Sequence, residues 1–85
     1  MYQPGPLLTI AHAREVLEAG MRAVESGETV FDLAAVTEVD STAVAALLAW
    51  QRAARARGAQ FSALNHPSSL TSLAHLYGVS DLIQA

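Results

Sequence analysis

Strand-like and helix-like segments alternate along this chain, and that alternation constrains its fold more than any other feature. Short runs of β-branched and aromatic residues are typical of strands, and apolar residues at three- and four-residue spacing are typical of helices. The predicted strands are Leu7–Ile10, Thr29–Leu33 and Gln60–Leu64. Of the predicted helices, the first runs from Ala11 to Glu25 and the second from Ser41 or Thr42 to Arg57. The third begins at Ser68 or Ser69 and extends to Gly78. This order favours parallel strands with right-handed crossovers. We therefore expect one small α/β domain over residues 1–85, with a short, mostly parallel sheet covered by helices mainly on one face.

Residues that favour helix ends support these boundaries. Gly27, Gly58 and Gly78 are expected to end the three helices, and Ser68 or Ser69 is the expected N-cap of the last one. Ser41 or Thr42 is the expected N-cap of the middle helix, because a hydroxyl oxygen can accept a hydrogen bond from the free N–H groups of a first turn. The negative charge of Asp40, just before them, would interact favourably with the positive N-terminal end of the helix dipole. The segment Ala34–Asp40 is expected to be a loop, and Val79–Ile83 is expected to form a short closing helical turn.

Composition excludes several classes of protein. The chain has no cysteine, which excludes a disulfide scaffold and a zinc site built on thiolates. It has no lysine and a net charge of -3, which argues against nucleic-acid binding, because phosphate contacts need clustered basic residues. The longest apolar run, Ala43–Trp50, has eight residues, whereas a membrane span needs roughly 20. Because Met1–Pro6 also lacks the features of a signal peptide, we expect a cytoplasmic protein without direct membrane insertion.

The middle helix is apolar on two sides. A helical projection places Val44, Leu47, Leu48 and Ala54 on one side. The opposite side carries small residues where a surface helix would carry charges. Alanine is the best helix former and can occupy such positions for that reason alone. Small residues also permit close approach of a partner, and tryptophan is enriched in interface cores. On this second interpretation, the partner-binding face comprises Ala45, Ala46, Ala49, Ala53 and, near its edge, Trp50.

The segment Val30–Ala43 resembles the signature of STAS domains, the fold of anti-sigma-factor antagonists. That signature is an apolar strand ending in Asp-Leu, a short loop with two valines, and Asp-Ser-Ser/Thr-Gly-Leu at the start of a helix. Asp32-Leu33 and Asp40-Ser41-Thr42 match it, whereas Ala43 and Val44 stand where the family usually has Gly and Leu. Within the family, the runs Trp50–Arg55 and Leu76–Gly78 are most similar to the small STAS subunits of the MlaFEDB phospholipid transporter. The resemblance extends from about Leu7 to Ile83.

The resemblance implies a regulatory binding module rather than a catalyst. Such subunits bind the ATPase of an ABC transporter that moves phospholipid between the two membranes of Gram-negative bacteria and maintains outer-membrane lipid asymmetry. The chain would contact the permease only indirectly and would lie at the inner membrane through its partner. In those subunits the hydroxyl residue directly after the aspartate contacts the ATPase, and Ser41 matches it. In sigma-regulating members a partner kinase phosphorylates a Ser or Thr of this motif. The alternative is therefore an anti-sigma-factor antagonist switched at Ser41 or Thr42, and Asp40, Ser41 and Thr42 form the expected site.

The residues themselves give no support to catalysis, a metal or a cofactor. His12, His66 and His75 have no pair at the four-residue spacing that would place two ligands on one helix face. The chain has no Gly-x-Ser-x-Gly turn, and nothing in the sequence brings a histidine to Ser41, so a Ser-His-Asp hydrolase is not indicated. No glycine-rich phosphate loop precedes a helix. We expect no enzymatic activity, metal or cofactor.

Overall fold

The alternation of strands and helices predicted from the sequence is present in the structure. The structure is a computed structural model and describes residues 1–78, so the predicted turn over Val79–Ile83 lies outside the described residues. The elements are β1 (Leu7–Leu8), a short 3-10 helix (Ile10–His12), α1 (Ala13–Glu25), β2 (Val30–Asp32), β3 (Glu38–Val39), α2 (Ser41–Ala56), β4 (Ser62–Leu64) and α3 (Ser68–Leu76). The predicted α/β class is confirmed.

The strands form two parallel pairs. β1 pairs with β3, with Leu8 opposite Val39, and β2 pairs with β4, with Phe31 opposite Ala63. The chain before β1 connects the pairs, because Tyr2 lies parallel beside Phe31 and its carbonyl oxygen accepts a 2.8 Å hydrogen bond from the N–H of residue 32. Since all these pairings are parallel, the carboxyl ends of the strands lie at one edge, where α1, α2 and α3 begin.

The expected loop Ala34–Asp40 contains a strand, and that part of the prediction is wrong. β3 has only two residues, so no alternating pattern could reveal it. It is a strand because β1 lies beside it, with the Asp40 N–H donating to the Leu8 carbonyl oxygen at 3.3 Å. The pairing places the start of α2 next to the residues that follow β1.

The predicted glycines at the helix ends are confirmed, whereas the predicted cap of α3 is not. Gly27 and Gly58 follow α1 and α2 with φ of +100° and +73°, a conformation that glycine adopts at little cost. For α3 the N-cap is Pro67, which has no side-chain donor or acceptor, so the prediction of a Ser68 or Ser69 cap is wrong. Ser68 already lies in the first helical turn.

Trp50 belongs to the core, contrary to the prediction that it lies on a partner-binding face. Its exposed fraction is 0%, and its Nε1–H donates to the Leu17 carbonyl oxygen at 3.2 Å. The indole lies 5.0 Å from the Phe31 ring, between centroids. Ala46 is only 3% exposed. Both predictions failed because α1 packs along this side of α2, and a helical projection cannot show which neighbour covers a face.

At Gly20 the backbone of α1 lies close against the indole of Trp50. A Cβ atom built at Gly20 would overlap the indole of Trp50. The absence of a side chain therefore lets the two helices meet around the tryptophan, although glycine is a poor helix former.

We predict that Gly20→Ala destabilises the protein. Alanine would gain about 1 kcal/mol of helix propensity, but forcing a methyl group against the indole costs about 1–3 kcal/mol or more. Thermal unfolding followed by circular dichroism measures the net effect. As a control, the same substitution in a Trp50→Phe background should cost less, because the smaller ring leaves room. An equal cost in both backgrounds would contradict the proposed contact.

Candidate partner-binding site at the start of helix α2

The carboxylate of Asp40 forms the N-terminal cap of α2. Its Oδ1 accepts a 2.8 Å hydrogen bond from the Thr42 N–H, and its backbone is extended at φ −139°. The prediction of Ser41 or Thr42 as the cap is therefore wrong, because both residues already lie in the first helical turn. The expected position of Asp40 at the positive end of the helix dipole is confirmed.

The second oxygen of Asp40 connects α2 to the N-terminal part of the chain. Oδ2 accepts a 2.9 Å hydrogen bond from the N–H of Ile10, the first residue of the 3-10 helix. One carboxylate thus satisfies a free N–H at the start of each of two helices. This bond fixes Ile10 beside Thr42, although 32 positions separate the two residues in the chain.

The hydrogen bonds lower the pKa of Asp40 below its ordinary value. The bond from the Ile10 N–H makes the largest contribution, the bonds from Thr42 add to it, and partial burial opposes it. Hydrogen bonds to the charged form favour that form. The carboxylate therefore stays ionised and keeps its two acceptors at neutral pH.

Two shallow grooves lie side by side over the first turns of α2. The first, of about 350 Å³, lies between α2 and the end of α3. The second, of about 280 Å³, lies between α2 and the start of α1. We call their combined lining the two-groove surface. Apart from three hydroxyl groups its lining is apolar: Ser41, Val44, Ala45, Leu48 and Tyr77 line the first groove, and Ile10, Ala13, Leu17, Thr42, Ala45, Ala46 and Ala49 line the second.

The predicted site residues are distributed unevenly over this surface. Ser41 and Ala45 are exposed, whereas Thr42, Ala49 and Ala53 are half-buried. Ser41 faces the first groove and Thr42 the second, and Ala45 lines both. As described above, Ala46 and Trp50 are buried against α1. The part of the predicted face that a partner could reach is therefore the N-terminal half of α2.

Several residues of this surface are apolar and exposed, and their exposure could not be predicted from the sequence. Ile10 is 77% exposed, Tyr77 is 53% exposed and Leu17 is 37% exposed. Ile10 was predicted to end a strand, and Leu17 and Tyr77 fall within predicted helices, where nothing in the sequence marks them as exposed. Their exposure depends on where α1 and α3 end relative to α2, and helical periodicity carries no information about that. Large exposed apolar side chains that lie together are typical of interaction sites.

A second aspartate organises the carboxyl ends of β2 and β4. Oδ1 of Asp32 accepts hydrogen bonds of 3.0 Å from the Asn65 side chain and from the Ala34 N–H, and Oδ2 accepts one of 3.1 Å from Gln3. These bonds, with that from Asn65 contributing most, lower the pKa of Asp32. Because the donors belong to the N-terminal segment and to the turns after β2 and β4, the described contacts of this carboxylate are structural.

The described residues show no arrangement suited to a metal. Within residues 1–78 no three potential metal-ligating side chains of His, Cys, Asp or Glu lie together. Nδ1 of His66 lies 3.0 Å from the Thr71 hydroxyl, which gives this histidine a local partner. Among the helices that the structure describes, none is both long and apolar enough to cross a membrane.

The comparison with protein families agrees with the fold and the motif. A parallel α/β layer followed by a helix that opens with Asp-Ser-Thr defines the chain as a STAS domain. The family model described as "Mlab, STAS domain" matches residues 7–84, and the chain belongs to that family. It is thus a STAS domain of MlaB type, which confirms the resemblance seen in the sequence. STAS domains are generally non-catalytic. No curated protein matches the chain.

We predict that Asp40 and Asp32 make the stability of the protein depend on pH in the acid range. Their pKa values are lowered in the folded state, so their contribution is present above the ordinary value of 3.8 and is lost as the pH falls through the lower folded values. Thermal unfolding at several pH values, followed by the fluorescence of Trp50, the single tryptophan, measures this loss of stability. Asp40→Asn should reduce the decrease in melting temperature on acidification, and Asp32→Asn should reduce it separately. An unchanged pH dependence in the double variant would contradict this assignment.

Proposed function

We propose that this chain is a non-catalytic STAS subunit that binds the ATPase of a phospholipid ABC transporter and regulates its assembly or activity. Its contact with the permease would be indirect, and it would be cytoplasmic, held at the inner membrane by its partner. The observation that carries the proposal is the two-groove surface at the Asp-Ser-Thr motif. Membership of the MlaB-type family supports this choice of partner.

The chemistry of the two-groove surface suits protein recognition. Ala45 lies between the grooves and is small, so a partner backbone can come close to α2. Ile10 and Tyr77 stand at opposite sides as large apolar side chains that are mostly or half exposed. Burying such side chains yields about 25 cal/mol per Å² of apolar area, so both favour binding to a complementary surface.

The same geometry does not favour catalysis by Ser41. A nucleophilic hydroxyl needs a base within hydrogen-bond reach. The adjacent carboxylate of Asp40 directs both oxygens to backbone N–H groups, those of Thr42 and Ile10. Among the described residues no side chain is seen to hydrogen-bond the Ser41 hydroxyl. A contact role for Ser41 therefore fits this site better than a chemical one.

We predict that Ala45→Arg abolishes co-purification of the ATPase while the chain stays folded. Ala45 is exposed, so arginine can be accommodated by the free chain, but its side chain would block both grooves. Ala46 is unsuitable for this test, because arginine at a buried position would disrupt the core. The assay is affinity capture of the tagged chain together with the transporter's ATPase and permease.

Ala56→Arg is the matched control. Ala56 is exposed on the same helix, about 16 Å further along at 1.5 Å per residue, and should keep binding. Trp50 fluorescence confirms that both variants are folded. Retention of the ATPase by folded Ala45→Arg would show that the docking site is elsewhere. Absence of the ATPase with the unmodified chain would contradict the proposed function itself.

The exposure of Ser41 supports a second candidate, an anti-sigma-factor antagonist switched by a partner kinase. Ser41 is exposed in the first turn of α2, where the helix dipole favours a phosphate, while the neighbouring Asp40 carboxylate already accepts the Thr42 N–H and would repel the phosphate, as a switch requires. Incubation with the cognate kinase and ATP should then add one phosphate by mass spectrometry, and Ser41→Ala should prevent it. Continued phosphorylation of Ser41→Ala but not Thr42→Val would assign the modification to Thr42. No phosphate on the unmodified chain would contradict this candidate.

A further inference from the structure

Ile10 is the most exposed of the large apolar side chains that line the two-groove surface. It is the first residue of the 3-10 helix that precedes α1, and it lines the second groove. The free chain buries little of this side chain. Most of its apolar area is therefore available to a partner, and burying that area would favour a complex.

The backbone of Ile10 is held by two hydrogen bonds. Its N–H donates to Oδ2 of Asp40 at 2.9 Å, and its carbonyl oxygen accepts a bond from the Ala13 N–H. Isoleucine is also branched at Cβ, which restricts rotation of the side chain. Ile10 is therefore exposed but fixed, and little conformational freedom remains to be lost when a partner covers it.

The fold uses the backbone of Ile10 rather than its side chain. The bond to Asp40 needs only a backbone N–H, which every residue except proline provides. A residue of different size or polarity could form the same junction. The aliphatic side chain can therefore serve an intermolecular contact without disturbing the start of α2.

Taking the proposed function as given, we infer that Ile10 is an anchor of the complex, and that the ATPase presents an apolar pocket that fits a branched aliphatic side chain. Asp40 is then a positioning residue, because both of its oxygens bond to this chain and one of them fixes Ile10. A side chain that is already held in the bound orientation loses less entropy on binding, which strengthens the complex.

The dissociation constant of the chain with the transporter's ATPase and permease tests the anchor. Ile10→Ala should weaken binding about 10- to 50-fold, because the aliphatic side chain is cut back to a methyl group. Ile10→Val removes a single methyl group and should weaken binding only about fourfold. Both variants should keep the melting temperature of the unmodified chain, since the side chain is 77% exposed.

Leu76→Ala is the matched control. Leu76 is 76% exposed but lines neither groove, so its loss should change the dissociation constant by less than about twofold. Equal binding by the Ile10→Ala and Leu76→Ala variants would overturn the inference and leave the proposed function standing. A dimer of the chain that Ile10→Ala dissociates, with binding to the ATPase unchanged, would assign the anchor to a second copy and overturn the inference. No binding of the unmodified chain would overturn both.

A double-mutant cycle with Asp40→Asn tests the positioning role. Asparagine keeps one oxygen that can cap α2, but its amide nitrogen cannot accept the bond from the Ile10 N–H. Asp40→Asn should therefore weaken binding about three- to tenfold in the unmodified chain, but less than about twofold in the Ile10→Ala background. An equal loss in both backgrounds would show that Asp40 acts only by stabilising α2, and would overturn its positioning role.

Discussion

The two hydrogen bonds accepted by the Asp40 carboxylate are the interaction on which the functional surface depends. One bond caps α2 through the Thr42 N–H and the other holds the Ile10 N–H. Parallel pairing of β1 with β3 brings the two donors within reach of one side chain. Without this junction, the start of α2 and the 3-10 helix would be connected only by two short strands. The role of the aspartate of the motif is therefore structural: its two hydrogen bonds hold together the residues that form the second groove.

The packing of α1 determines which part of α2 remains accessible. Trp50 fills the space between α2, α1 and β2, and Gly20 allows the close approach. This contact covers the middle of the alanine-rich face, including Ala46. The first turns of α2 lie beyond it, bordered by the start of α1 on one side and the end of α3 on the other. The alanine-rich face of α2, which consists of small residues throughout, is thereby divided into a half that is buried in the core and a half that is exposed at the surface.

The sequence predicted local structure well where periodicity or turn residues mark it. The boundaries of α1 and α2 agree within about two residues, and Gly27 and Gly58 lie at the predicted helix ends. The failures have tertiary causes. β3 exists through its pairing with β1, the capping role of Asp40 depends on its extended backbone, and Trp50 is covered by α1. For the site, Ser41 and Ala45 were predicted as partner-binding residues and are exposed in the structure. Ile10 and Tyr77 could not be predicted, because their exposure depends on the relative positions of separate helices.

Amide hydrogen exchange of the chain, free and bound to the ATPase with its permease, tests the central claim most directly. The account places the partner over the two-groove surface. The amides of Ile10 and of the first two turns of α2 should therefore become strongly protected in the complex, while the segment around Arg55 and Gly58 should exchange as in the free chain. Protection confined to the C-terminal end of α2, with the amides around Asp40 unchanged, would contradict the account.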